Sequence, residues 1–359
     1  MPIFGFSLQI RPRTTMNKPI LVLKLGTASI TTEKGELDEL VIADVARQVA
    51  EVAKDYRLIL VSSGAVGAGK KYIKNYKGKI SERKAAASIG NPLLLNTYAK
   101  HFLPYGICIA QSLCERQHFS NRKQFLQLKE TYEELWKNDV IPIANENDVV
   151  SSLELKFSDN DELATLLGVG FGASVILLGT SVPGVLDRDG KVIDRIESIN
   201  NDIFSLADKG KSDLGLGGMI SKLTFAHLAS TMGIKVVIFG VRTADGISQA
   251  VQEKTGTVCI PKDCSISARN KWLASGSLVT GRIMVDDGAC EAIRNRKSLL
   301  AVGVLSVIEE FSDGEIFEIT DAQHNIVAVA RAKTSSEAII KDSKQRNLEI
   351  ANASDIVIL

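Results

Sequence analysis

The sequence predicts an α/β protein: a three-layer αβα domain with a mostly parallel sheet, followed by a small β-rich domain. Three observations carry this reading. Apolar runs of strand length alternate with longer segments whose apolar residues recur at helical spacing, the pattern of a parallel sheet covered on both faces. From about Gly276 the pattern changes to short strands punctuated by Gly and Asp. Finally, 359 residues exceed one ordinary hydrophobic core, so two domains are expected.

Residues 1–15 read as a disordered tail or an over-extended start. Arg11 and Arg13 follow a short apolar beginning, the reverse of a secretory signal, and Met16 offers a second start. The first strand is the run Ile20-Leu21-Val22-Leu23-Lys24-Leu25, which leaves through Gly26-Thr27. Leu40, Val41, Val45, Val49 and Val52 recur at helical spacing and predict a helix over 39–54. Residues 57–61 repeat the apolar run and exit through Ser62-Ser63-Gly64 into a helix opening at Ala65. Helix 82–101, strand 106–112, helix 121–137 and strand 140–144 continue the alternation; helix 160–168, strand 174–179, helix 218–232 and strand 234–239 complete it. The first domain is expected over 16–260, a linker over 261–276 and the second domain over 277–359. In the second, strands are expected at 278–280, 283–285, 299–300, 315–319, 326–331 and 355–358, with one helix at 287–294.

Composition excludes several classes of function. Lys and Arg total 43 against 42 Asp and Glu, so net charge gives no reason to invoke nucleic acid or an acidic membrane as the main partner. Five cysteines without a C-x-x-C pair, and four scattered histidines, argue against a disulfide framework and against a zinc cluster. Reduced thiols and a cytoplasmic location are expected. No apolar run reaches the roughly 18 residues of a membrane span.

Chemistry concentrates in Asn145-Glu146-Asn147-Asp148 and, ten residues on, Ser158-Asp159-Asn160-Asp161. The first group ends an apolar run, where open α/β sheets place ligands, although capping residues in a solvated acidic loop would look the same. Three glycine-rich turns accompany it: Gly26 after Lys24, Ser62 to Gly69, and Gly215 to Lys222. Glycines let backbone N–H groups approach phosphate oxygens, and a helix start adds favourable partial charge. Gly64 to Lys70 also fits the G-x-x-x-x-G-K pattern of a phosphate-binding loop. Lys71 follows where that loop needs Ser or Thr for magnesium, and this disfavours the match. Alone, Lys24 reads as an ordinary exposed lysine, and Asp161 serves equally well as a helix cap.

Taken in order, Lys24-Leu25-Gly26-Thr27, Ser62-Ser63-Gly64-Ala65, Asn145 to Asp148, Asp159-Asn160-Asp161 and Gly217-Gly218-Met219 with Lys222 resemble the amino acid kinase family. Within it they are most similar to the members that phosphorylate glutamate. The similarity covers about residues 18–260, and Gly281 to Ala289 resembles the start of a PUA domain. The resemblance implies transfer of the γ-phosphoryl of ATP to the side-chain carboxylate of L-glutamate, giving L-glutamyl 5-phosphate, the first step of proline synthesis. It implies that Lys24 and Lys222 reach the phosphoryl from the two ends of the sheet, with Asp161 between them as organiser. Gly26, Gly64 and Gly218 would supply backbone donors to the nucleotide, alongside Thr180, Ser181, Gly217, Met219 and Ser221. Ser63, Asp148 and Asn160 would contact glutamate: Asp148 the ammonium, Ser63 and Asn160 as donors to carboxylate oxygens. Glu146 and Asp159 are left as structural.

The nucleotide side departs from the family pattern. Thr180-Ser181 stands where relatives commonly have Thr-Asp, Leu216 where they often have Thr, and Ile220 where they have a small hydroxyl residue. Backbone contacts survive these changes; side-chain contacts to the nucleotide do not. Magnesium is expected because ATP reacts as its magnesium complex, although the sequence shows no dedicated metal-ligand cluster, and no membrane partner is expected; the resemblance implies a homo-oligomer and feedback inhibition by proline. Two alternatives stand beside it: an amino acid kinase for a different acid, and RNA binding through the PUA-like domain. Basic residues there (Arg294, Arg296, Lys297, Lys341, Lys344, Arg346) are mixed with acidic ones and few aromatics, which speaks for a solvated face.

Overall fold

The computed structural model describes residues 18–120, 122–150, 160–199, 201–207, 218–262, 279–313, 316–341 and 348–358. The expected tail at 1–15 and most of the 261–276 connection lie outside them. Eight strands form the larger sheet: β1 (Ile20–Leu25), β2 (Arg57–Ser62), β3 (Cys108–Cys114), β4 (Val140–Glu146), β5 (Val175–Thr180), β6 (Arg195–Ile196), β7 (Lys235–Gly240) and β8 (Thr257–Cys259). Their order is β3-β4-β2-β1-β5-β7-β8-β6. β1 lies between β2 and β5 and is parallel to both, while β8, between β7 and the edge strand β6, runs antiparallel to β7.

Every residue of β1 is buried, and its side chains divide between two cores by the two-residue period of a strand. Ile20 and Val22 enter one core; Leu21, Leu23 and Leu25 enter the other. The second core is covered by α1 (Thr27–Ile30), α2 (Glu39–Val52), α3 (Ala65–Gly69), α4 (Ile80–Phe102) and α10 (Gly246–Val251). Across the sheet lie α5 (Gln117–Ser120), α6 (Arg122–Lys137), α7 (Asn160–Phe171), α8 (Asn201–Ala207) and α9 (Met219–Thr231). The three layers expected from the apolar pattern are therefore present. Short elements had no signal long enough to read: α8, α10, β6 and β8 were not expected. β4 also runs two residues further than its apolar run, taking buried Asn145 and Glu146 into the strand.

Gly69 and Gly90 explain the glycine-rich helix start that mimics a phosphate-binding loop. A Cβ on Gly69 would lie 1.9 Å from the carbonyl oxygen of Ala86, and one on Gly90 1.7 Å from that of Ala65. These glycines let α3 and α4 cross backbone to backbone. Of the loop-like segment, Gly64 has a conformational requirement of its own, with φ at +105° as the chain turns from β2 into α3.

The second region forms a five-stranded sheet from β9 (Val279–Val285), β11 (Val304–Glu309), β12 (Ile316–Thr320), β13 (Ile326–Arg331) and β15 (Ile356–Ile358), in the order β11-β9-β12-β13-β15. β10 (Leu299–Leu300) pairs separately with β14 (Glu349–Ala351). The two strands expected at 278–280 and 283–285 are one continuous strand. Gly281 is no break: Phe311 packs on it, and a Cβ there would come within 2.4 Å of the ring. Strands β11 and β14 and the helix Ser336–Lys341 were not expected from the sequence, so the region has two helices among its described residues rather than one. Arg282 pairs with Glu318 at 2.8 Å, so this cation faces a carboxylate across the sheet. Among the described residues no helix is long and apolar enough to cross a membrane.

Gly90→Ala is expected to destabilise the protein by about 3 kcal/mol or more, beyond ordinary overpacking, because backbone must move to admit the methyl group. Lys70→Ala is expected to leave both urea-unfolding stability and nucleotide affinity unchanged; a loss of nucleotide binding would reinstate the phosphate-loop reading.

Candidate active site

Strand order reverses at β1, whose neighbours are β2 on one side and β5 on the other, and ligands of open α/β sheets bind at the carboxyl ends of strands at such a point. Lys24 is the fifth residue of β1, in register with Val61 and Leu178. Its ammonium lies 2.6 Å from Asp161 Oδ1, and Lys222 Nζ lies 3.0 Å from Asp161 Oδ2. Asp161 is in the first turn of α7, where a negative charge suits the helix N-terminus. Lys222 is in the first turn of α9. Both lysines thus arrive at the same end of the sheet and meet on one carboxylate, rather than approaching from two ends.

All three groups are buried: Lys24 is 4%, Lys222 6% and Asp161 0% exposed. Burial alone pushes the Asp161 carboxyl up. The ammonium groups of Lys24 and then Lys222 outweigh it and hold the carboxyl below its ordinary value of 3.8. Two cations on one anion leave a charge of +1 on the three groups, in a setting where solvent screens it weakly.

Two of the three sequence-expected glutamate contacts, Asn160 and Ser63, fall beside this cluster. Asn160, the residue before Asp161, donates through Nδ2 to Ser63 Oγ at 2.8 Å and to Asn145 Oδ1 at 3.0 Å. Ser63 directly follows β2, so the pair joins the ends of two elements at the sheet's carboxyl edge. Asp148 is half-buried in the turn after β4. Neighbouring carboxylates and amides serve the scaffold: Glu162 holds Arg116 at 2.7 Å, and Asn147 donates to Glu115 at 2.8 Å.

Among the residues expected at the nucleotide, the outcome is mixed. Gly26 caps α1, and a Cβ there would lie 3.6 Å from Lys24 Nζ, so its bare backbone flanks the lysine. Gly218 caps α9 beside open space, with Met219 and Ser221 half-buried in the first turn. Thr180 ends β5 in register with Gly240, and Ser181 beyond it is exposed. Gly217 and Asp159 lie outside the described residues. Two polar residues to which the sequence reading gave no role are Asn145 and Asn91, which meet at 3.1 Å. Asn91 could have been noticed as an amide on the buried side of a helix.

The chain belongs to the amino acid kinase family: the family's model matches residues 19–240, and a PUA domain model matches residues 281–352. More particularly, it is similar to proteins named glutamate 5-kinase. It is 34% identical to that of Thermoanaerobacter sp. (strain X514) over 342 residues, covering 92% of each chain. With the Oceanobacillus iheyensis protein it is 35% identical over 348 residues, covering 92% of this chain and 93% of the relative. With the Vibrio vulnificus protein it is 33% identical over 341 residues, covering 92% and 90%. Among solved structures, a carbamate kinase from Giardia lamblia bound to AMP-PNP shares the fold, with TM-score 0.50, 18% identity, and coverage of 68% of this chain and 99% of that one.

Removing the carboxylate should strand two buried cations. Asp161→Asn is expected to lower stability at neutral pH by about 3–5 kcal/mol. Because the folded-state pKa of Asp161 is depressed, its contribution is complete above the unfolded carboxylate value and is lost as pH falls through the lower folded one. Urea unfolding should therefore give a constant gap between wild type and Asp161→Asn above about pH 5, closing in stronger acid. A gap independent of pH would contradict the assignment.

Proposed function

We propose that this protein, like the relatives named glutamate 5-kinase, phosphorylates L-glutamate, and that it transfers the γ-phosphoryl of ATP to the side-chain carboxylate to give L-glutamyl 5-phosphate for proline synthesis. The observation that carries the reading is the convergence of Lys24 and Lys222 on Asp161 at the carboxyl end of β1, in a chain that aligns with glutamate 5-kinases over 92% of its length.

The chemistry asks little of the protein beyond charge and alignment. A glutamate side chain is ionised at neutral pH, with a pKa of about 4.3, so no general base is required. Two anions must instead be brought together and the charge on the moving phosphoryl neutralised. Lys24 and Lys222 supply that neutralisation, and Asp161, gripping one lysine with each oxygen, sets their spacing. Backbone N–H groups at Gly26, Gly64 and Gly218 cradle phosphate oxygens, with Gly217, Met219, Ser221, Thr180 and Ser181 around the nucleotide. Asp148 receives the glutamate ammonium, and Ser63 and Asn160 complete the acceptor site.

Magnesium fits this arrangement as the partner of ATP. No group of three or more His, Cys, Asp or Glu side chains suited to a metal occurs among the described residues, and magnesium is commonly held by substrate phosphates and water with few protein ligands. When bound it supplies further neutralisation of phosphate charge. The same resemblance supports feedback inhibition by proline and a homo-oligomer, which a proline titration of activity and a sedimentation measurement would test.

Purified protein with magnesium-ATP, glutamate and hydroxylamine is expected to yield glutamyl hydroxamate. Product only with a different acid would move the substrate assignment; no product with any acid would overturn the reading. Lys222→Ala should cut kcat by about 100-fold or more, the scale for removing one donor to transition-state charge. Asp148→Ala should chiefly raise the KM for glutamate, by about tenfold, as expected for a lost charged hydrogen bond.

A further inference from the structure

A side-chain amide can show a ligand either its carbonyl or its NH2, and the two orientations have nearly the same shape. Here a backbone group decides between them. The N–H of Glu146 can only donate, and it lies 2.9 Å from Asn145, so the atom it meets is Oδ1. The Asn160 amide faces that same oxygen at 3.0 Å, so Asn160 faces it with Nδ2. Asn160 Nδ2 also donates to Ser63 Oγ at 2.8 Å. Both amide hydrogens of Asn160 are then committed within the protein.

What remains for a ligand is Asn160 Oδ1, which is buried and accepts no hydrogen bond among the described residues. A carbonyl oxygen suits an ammonium, not a carboxylate. Asn160 therefore cannot be the carboxylate donor expected from the sequence. Ser63, whose oxygen accepts from Asn160, keeps its own proton for that task. At the far end of the chain Asn145 Nδ2 donates to Asn91 Oδ1 at 3.1 Å. Asn91 is 4% exposed and lies in the middle of α4, next to Pro92. It has no direct role in binding, but it terminates the run of aligned amides that ends at the acceptor site.

We propose that Asn91 is a positioning residue for substrate selection: through Asn145 it holds Asn160 with its carbonyl toward the α-ammonium of the acceptor. This rests on glutamate being the acceptor, and it adds a determinant of specificity 54 positions from Asn145 in the chain. The device distinguishes an amino acid from the matching dicarboxylic acid, because only the former brings an ammonium to Asn160 Oδ1.

The test compares wild type, Asn91→Leu and Asn91→Asp with glutamate and with glutarate, which has the same terminal carboxylate and no ammonium. Hydroxamate formation gives kcat and KM for each acid and for ATP, and thermal unfolding confirms that each variant is folded. Asn91→Leu should raise the glutamate KM about tenfold and lower the preference for glutamate over glutarate by a similar factor, with kcat and the ATP KM within about twofold. Asn91→Asp keeps an acceptor toward Asn145 Nδ2 and should lie within about threefold of wild type. Should Asn91→Leu not fold, Asn91→Ala carries the same expectation. An unchanged preference in a folded Asn91→Leu or Asn91→Ala, a parallel loss in all parameters, or failure of Asn91→Asp to restore the preference would overturn the inference. Wild type inactive on both acids would instead sink the glutamate reading itself, and this inference with it.

Discussion

Asp161 binds one lysine with each of its oxygens in a place that solvent hardly reaches, and much of the surrounding architecture serves that contact. Burying three ionic groups costs several kcal/mol per ion unless their geometry offsets it. The geometry here comes from three separate elements. A fully buried central strand fixes Lys24, the start of α7 fixes Asp161, and the start of α9 fixes Lys222. None of the three side chains can relocate without exposing a charge to an apolar core. The result is a rigid pair of cations at the one edge of the sheet where parallel strands leave room for a ligand.

Next to it, the acceptor side proposed here adds neutral amides to the carboxylate of Asp148. The amides of Asn160, Asn145 and Asn91 lie in sequence, and a single backbone N–H sets the direction of all three. This division of labour follows from the chemistry. Phosphoryl transfer between two anions needs fixed positive charge, whereas choosing one small amino acid needs hydrogen-bond polarity, which neutral amides provide without adding charge.

Much of this was legible in the sequence. The alternation of apolar runs with helical spacing reports burial on both faces of a parallel sheet, which is a local property, so β1 to β5 and their long helices could be read directly. The lysines, Asp161, Ser63 and Asn160 were legible through motif resemblance. What escaped depended on distant partners. Asn145 and Glu146 looked like the start of an acidic loop, because a buried polar strand end is stable only with partners that local sequence does not show. Gly281 looked like a break, yet its role is to admit Phe311. The glycines between Gly64 and Lys70 advertised a phosphate loop, while Gly69 serves a helix crossing with Gly90. Asn91, beside a proline, carried only the faint signal of an amide on the buried side of a helix, with nothing local to show its partner.

If Asp161 acts by holding the lysines rather than on the substrate itself, its contribution to rate should depend on the lysine it holds. A double-mutant cycle on kcat/KM with Asp161→Asn, Lys222→Ala and the combined variant tests this directly. The account predicts strong non-additivity, with the combined variant losing far less than the product of the two single losses. Additive losses would show that Asp161 and Lys222 act independently, and would contradict it.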